Sequence, residues 1–165
     1  MDFLIIIILI GSGIYLYIYF QKYTKLVSQE KTIKDMSNKL KYMQNKKKGD
    51  EYEKKVGRYY KKLGYEVNYH GLEKDRNDQG IDLICKKDDE ILFVQCKNWE
   101  QEKSITAKHV KEFYGSCHFY VDKNQIDFTK VSCIYAIPKK KLLNFQAEKL
   151  FQKHYLNCRY QVVSV

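Results

Sequence analysis

The 165 residues suffice for one ordinary domain plus a short appendage and are too few for two full enzymatic domains. Lys and Arg number 30 against 20 Asp and Glu, a net charge of +10, and 44% of residues are apolar. That balance excludes an acidic solvating or disordered chain, and one Pro with eight Gly excludes collagen-like and low-complexity linker classes. Five Cys, with no C-x-x-C spacing, argue against a disulfide scaffold and for reduced thiols.

The positive charge is uneven. Residues 1–48 carry nine Lys against Asp2, Glu30 and Asp35, a balance of +6, and the rest of the chain carries only +4. Phe3 to Phe20 is 18 residues without a charge. At about 1.5 Å per residue it spans roughly 27 Å as a helix, near the thickness of a hydrocarbon core. It ends in Tyr15, Tyr17, Tyr19 and Phe20, which suits an interfacial aromatic belt. A cleaved signal peptide is the first alternative, but the start carries Asp2, no base and no A-x-A site. A buried core helix is the second, and it would be apolar on all faces. The expectation is a transmembrane anchor over residues 1–20. Lys22, Lys25, Lys31 and Lys34 follow the span, so the positive-inside tendency puts the C-terminal domain in the cytoplasm.

Residues 21–48 form a Lys-rich stretch without Gly or Pro. Leu26, Ile33 and Leu40 are seven apart, with Gln29, Met36 and Met43 between them. One polar d-type position makes this a weak coiled-coil pattern, and a solvated helical stalk or linker is expected. Lys46, Lys47, Lys48 and Gly49 mark a boundary, and 49–165 is the expected catalytic domain.

Within 50–63 the repeat of Tyr52, Val56, Tyr59, Tyr60 and Leu63 predicts a helix, capped by Asp50 and ended by Gly64. Tyr65–Tyr69 alternates as a strand, and His70–Gly80 reads as a polar loop. Ile81–Cys85 and Ile91–Lys97 read as a hairpin across the charged turn KKDDE. A helix over 106–121, with Val110, Phe113, Tyr114 and Cys117 on one face, precedes a buried strand over Val131–Ile137. Lys140–Tyr155 reads as a helix with Leu142, Leu143, Phe145, Leu150 and Phe151 inward, and Tyr160–Val165 as a last strand. The order predicts an α/β arrangement around one mixed sheet.

The chemistry lies in 78–97. Asp82 follows Gly80 by two residues, and Gln95 and Lys97 alternate on the next strand. Alternation puts Gln95 and Lys97 on one face, and hairpin pairing brings Asp82 near both. Burying an unpaired Asp or Lys there is costly. A hard divalent cation resolves the cost, since Mg²⁺ accepts carboxylate and carbonyl oxygens. Asp82, the Gln95 amide oxygen and the Cys96 main-chain carbonyl are the candidate metal ligands. Lys97 can orient or deprotonate water, or stabilise phosphate charge.

The pattern GxID(x)12QxK resembles the PD-(D/E)xK nuclease fold and, more narrowly, the catalytic domain of Mrr-type restriction endonucleases. The resemblance rests on Tyr52-Glu53, Leu63-Gly64-Tyr65, Gly80-Ile81-Asp82, Val94-Gln95-Cys96-Lys97, and Val110 before Glu112-Phe113-Tyr114-Gly115. It covers about residues 49–137, five pieces in the family's order. It implies metal-dependent hydrolysis of DNA phosphodiesters with Mg²⁺ (or Mn²⁺) as cofactor. It makes Asp82 and Gln95 metal ligands, Lys97 the catalytic lysine and Glu53 an accessory acid. Asp78 is either part of the site or only part of its turn. Two departures stand out. The strand end Ile134–Pro138 lacks the family's Thr-rich residues, and no segment reads as the winged-helix domain of some members. A preference for methylated DNA is therefore not carried over.

The rival for each piece is structural. Asp82 can cap a turn and Lys97 can be a solvated strand end. Cys85, Cys96, Cys117, His109 and His118 fit no common zinc spacing and are expected in the core. Trp99 can stack on a base or pack a loop. Lys103, Lys108 and Lys111 can line a phosphate track or face solvent. The expectation is a restriction-endonuclease-like mixed sheet flanked by helices behind one transmembrane helix. It acts as a membrane-anchored, Mg-dependent endonuclease of restriction or defence type, with DNA and the membrane as partners and a homodimer as an option. The alternatives are a junction-specific nuclease and an inactive nuclease fold that only binds DNA or a partner.

Overall fold

The computed structural model describes residues 2–74, 80–99, 104–153 and 157–164, with side chains from Gly13 onward except at 73 and 74. The chain forms two compact units, Met1–Asn45 and Lys46–Val165. Helix α1, Asp2–Lys62, supplies the first unit and opens the second. The new helix start predicted at Asp50 is absent, because Gly49 and Asp50 lie inside α1. A lone Gly costs a helix about 1 kcal/mol relative to Ala, and it lacks the ring clash by which Pro breaks one.

Leu26, Ile33 and Leu40 are exposed along α1. Among the described residues no helix is long and apolar enough to cross a membrane. The transmembrane anchor expected at Phe3–Phe20 therefore finds no support in the structure. The side chains of 1–12 lie outside the described residues, and the stretch from Gly13 reaches Gln21 and Lys22 after only Phe20.

In the second unit the last turns of α1 bury Tyr52, Val56 and Tyr60 at four-residue spacing. Gly57, on the same stretch, leaves room for Tyr69, whose ring atoms a Cβ there would meet at 2.5 Å. The helix ends where Gly64 takes φ +88°. Strand β1, Glu66–Asn68, follows. The predicted polar loop then opens with a short helix, α2, His70–Lys74. Strands β2, Leu83–Lys87, and β3, Glu90–Cys96, form the predicted hairpin, in register from Leu83↔Val94 to Lys87↔Glu90.

Helix α3, Ala107–Asn124, starts after its N-cap Thr106. Strand β4, Val131–Ile137, matches its prediction residue for residue. The helix predicted over Lys140–Tyr155 is broken into a 3-10 turn, Lys140–Leu142, and helix α4, Phe145–Phe151. Between them Leu143 pairs with Ile105 in an isolated bridge, and Asn144 caps α4 by accepting from the Ala147 N–H at 2.8 Å. Phe145, expected inward, is exposed at the first position of α4. Strand β5 is Cys158–Val162, two residues earlier than predicted.

The sheet order is β1-β2-β3-β4-β5, antiparallel through β3 and parallel from β3 to β5. Strand alternation sends side chains to two cores. Leu83, Cys85, Leu92, Val94, Cys96, Ile134 and Ala136 pack with Tyr52, Val56 and Tyr60 of α1. Phe93, Val131, Cys133, Tyr135 and Ile137 pack with Val110, Phe113, Cys117 and Val121 of α3. All five cysteines are free and buried in these cores.

Candidate active site

The site grows from the point where the β2–β3 ladder ends. The Asp82 N–H donates to the Val94 carbonyl at 2.9 Å, the last main-chain step between the two strands. Beyond it the side chain takes over, and Asp82 Oδ2 accepts the Cys96 N–H at 2.5 Å. Asp82 is only 7% exposed and Gln95 only 8%. A buried carboxylate at such a depth is tolerated when hydrogen bonds replace its water.

Glu53 reaches the same place from α1. A Cβ built on Gly71 would meet Glu53 Oε2 at 3.2 Å and Asp82 Oδ1 at 3.4 Å. The two carboxylates thus face one spot that only a glycine leaves open. The Gly71 N–H donates to the Asp82 carbonyl at 2.8 Å, which holds α2 against this spot. Burial pushes the Cys96 thiol well up, and the Asp82 and Glu53 carboxylates raise it further. Its side chain belongs to the α1-side core, away from Gln95.

Gln95 and Lys97 line a cleft of about 240 Å³ together with Gly80, Trp99, His109, Glu112 and Tyr135. Gly80 holds φ +76°, and its missing Cβ would sit 3.2 Å from Gln95 Nε2. The glycine of the Gly-Ile-Asp motif therefore serves both a left-handed turn and the close approach of the amide. Lys97 lies one residue past β3, its N–H donating to the Ala136 carbonyl at 3.0 Å. Its Nζ stands 5.9 Å from the Trp99 ring centroid, and Trp99 meets His109 edge-on at 5.1 Å. His109 Nδ1 accepts the Thr106 N–H at 3.0 Å, so the imidazole, noted in the sequence only among zinc spacings, caps α3.

The sequence pattern does not single out Tyr135. It pairs with Gln95 across β3 and β4, is fully buried, and lines the cleft. Burial raises its phenol, and Asp82 adds to the rise. Its place inside the apolar run of β4 hides it.

The structure thus brings Glu53, Asp82 and the Cys96 main chain together, and Gln95 with Lys97 in the neighbouring cleft. Lys108 and Lys111 do not join them; both are exposed on α3, and Lys108 faces Glu112 at 3.8 Å. Lys103 and Asp78 lie outside the described residues.

Among the described residues no cluster of three or more His, Cys, Asp or Glu is placed to hold a metal ion. The donors that do converge are the two carboxylates over Gly71, while the Gln95 amide lines the cleft beside Gly80. These are hard oxygen donors, suited to Mg²⁺ or Mn²⁺ and unsuited to a thiolate-loving ion.

A restriction endonuclease family, in its Mrr catalytic-domain form, matches residues 44–129, just over half of the chain. The chain belongs to this family. The matched span contains Glu53, Asp82, Gln95, Lys97 and α3. A repair endonuclease from Pyrococcus abyssi, seen in a crystal structure, is similar at a TM-score of 0.37 and 15% identity. The match covers 51% of this chain and 32% of that one, so the chain spans about a third of its length. No curated protein matches. Membership assigns the matched span to a restriction endonuclease catalytic-domain family.

Proposed function

We propose that the second unit is a metal-dependent DNA endonuclease, hydrolysing phosphodiester bonds with Asp82, Gln95, Lys97 and Glu53. The observation that carries this reading is the convergence of Asp82 and Glu53 over Gly71, with Lys97 one residue past the strand end that Asp82 holds. Asp82 and Gln95, with the Cys96 carbonyl, would hold the ion, and Glu53 would complete its charge. A divalent ion at such a site lowers the pKa of bound water and draws in phosphate oxygens. Asp82 is fixed by the Cys96 N–H, so its other oxygen keeps its direction as substrate arrives. Lys97 places a cation beside the strand end, where it orients the attacking water or offsets charge on the phosphate.

The apolar run Phe3–Phe20 and the bases after it support attachment of this enzyme to the cytoplasmic side of a membrane. Full chain that resists carbonate extraction supports the attachment, and recovery in the soluble fraction rejects it.

The test of the activity is plasmid nicking by the full chain with Mg²⁺, with Mn²⁺ and with chelator. Cleavage confined to the metal samples and lost in Asp82→Ala and Lys97→Ala supports the reading. DNA binding without cleavage in any metal assigns the domain to binding alone.

A further inference from the structure

Trp99 lines two cavities. One is the cleft of Gln95 and Lys97. The other is a groove of about 610 Å³ along the second-unit part of α1. Its charged lining is four bases, Lys48, Lys54, Lys55 and Arg58, against one acid, Glu51. Asn98 and Trp99 close it from the strand end that carries Lys97. We infer that this groove binds the phosphate backbone of the DNA strand to be cut and leads it past Trp99 to Lys97. The inference rests on the nuclease reading of the cleft and adds the route by which substrate reaches it.

Three observations carry it. Lys54 and Arg58 are one helical turn apart on α1, beside rather than within the stripe Tyr52, Val56 and Tyr60 that packs on the sheet. Four residues of helix rise about 6 Å, and a DNA strand advances about 3.4 Å per charge. The α1 cations are therefore spaced about two phosphate steps apart. Trp99 offers an aromatic face to a sugar or base at the junction of groove and cleft, the pairing of cationic track and stacking platform that nucleic-acid grooves use. Its contact with Lys97, at 5.9 Å, ties that platform to the candidate catalytic lysine. The lysines of α3 are a poorer track, because Lys108 already faces Glu112 at 3.8 Å and Glu112 itself lines the cleft.

The chain has one Trp, so its intrinsic emission reports on Trp99 alone. The experiment titrates the full chain with a short DNA duplex in chelator, following Trp emission and anisotropy of a label on the DNA. Binding with a change in Trp emission is expected. The triple variant Lys54→Gln, Lys55→Gln, Arg58→Gln should bind at least about tenfold more weakly. The slope of log K against log[salt] should fall by about 2, near 0.9 for each phosphate that is no longer neutralised. The double variant Lys108→Gln, Lys111→Gln should stay within about threefold of the parent. Lys54, Arg58, Lys108 and Lys111 are exposed and Lys55 is half-buried, and unchanged far-UV circular dichroism confirms the fold. No binding by the parent, unchanged Trp emission on binding, or a larger loss in the α3 variant than in the α1 variant each overturns the inference. The assay needs no catalysis. Binding that behaves as expected without cleavage in any metal upholds the groove and defeats the nuclease reading, while cleavage that survives the α1 triple variant undiminished does the reverse.

Discussion

The Cys96 N–H donates to Asp82 Oδ2 at 2.5 Å, across 14 residues of chain. The bond replaces the rung that the β2–β3 ladder would make next, so Asp82 closes the sheet with one oxygen. Its other oxygen looks toward Gly71 and Glu53. One side chain thus links strand geometry to the charge of the candidate site.

Two substitutions at Asp82 separate these duties. Asp82→Ala leaves the buried Cys96 N–H without its acceptor and should destabilise the domain by about 1–3 kcal/mol. Asp82→Asn keeps an amide oxygen for that bond and should cost less. Both should abolish metal-dependent nicking, since neither supplies a carboxylate. Thermal unfolding and plasmid nicking, measured on both variants, check this. An Asn variant that cuts at the parent rate would remove Asp82 from the metal site.

Gln95→Glu should retain cleavage and lower the Mn²⁺ concentration needed for half-maximal nicking, because a carboxylate replaces a neutral ligand. Lys97→Ala should lose cleavage and weaken DNA binding only modestly, as a single phosphate loses its cation. Gel shift without metal and nicking with metal separate the two effects. Equal loss of binding and cleavage at Lys97 would make it a binding residue only.

Much of this site was legible in the sequence because its signal is local. Gly80-Ile81-Asp82 leads directly into β2 and Gln95-Cys96-Lys97 closes β3, its hairpin partner, and period-two alternation fixes which side chains share a side. The sheet strands were legible for the same reason, β4 to the residue. What failed depends on contacts distant in sequence. The break between the 3-10 turn and α4 follows from the bridge of Leu143 to Ile105, which no local periodicity encodes. The start at Asp50 failed because a capping residue and a glycine do not end a helix that has good formers on both sides. Tyr135 and Gly71 were missed because their roles come from register across β3–β4 and from the approach of α1 to α2.

The second unit should fold without the first. Both core clusters draw only on residues from Tyr52 onward. A fragment beginning at Lys46 should show one cooperative thermal transition, read by near-UV circular dichroism. A fragment with far-UV helix signal and no cooperative transition would mean that residues 1–45 supply needed packing.

Gly71→Ala tests the meeting of Glu53 and Asp82. The added methyl would lie 3.2 Å from Glu53 Oε2 and from the Asp82 Cα, so a side chain and a main-chain atom must both give way. Overpacking of this kind costs typically about 1–3 kcal/mol. Nicking should fall by more than tenfold, with DNA binding in chelator little changed. Full activity in this variant would show that the two carboxylates need not share that space.

The last prediction concerns alkali. Burial pushes the Cys85 thiol from its ordinary 9.0 up to about 12. The bond from Tyr65 to Glu90 Oε2, at 2.5 Å, pushes the Tyr65 phenol from 10.0 up to about 12. In both cases the folded chain holds the proton more tightly than the unfolded chain. Below pH 9 both states are protonated and the contribution is complete. Above the unfolded values the unfolded chain releases its protons first, so unfolding gains and stability falls as pH rises toward 12. Each fully engaged group contributes a slope of about 1.4 kcal/mol per pH unit, and the half-buried Tyr65 contributes less because solvent still screens it. Chemical denaturation between pH 8 and 11 should therefore show stability level to about pH 9 and falling beyond it. Cys85→Ala should flatten that fall while lowering stability at pH 8, since the cavity it leaves is independent of pH. A Cys85→Ala profile parallel to the parent's would assign the alkaline loss to other groups.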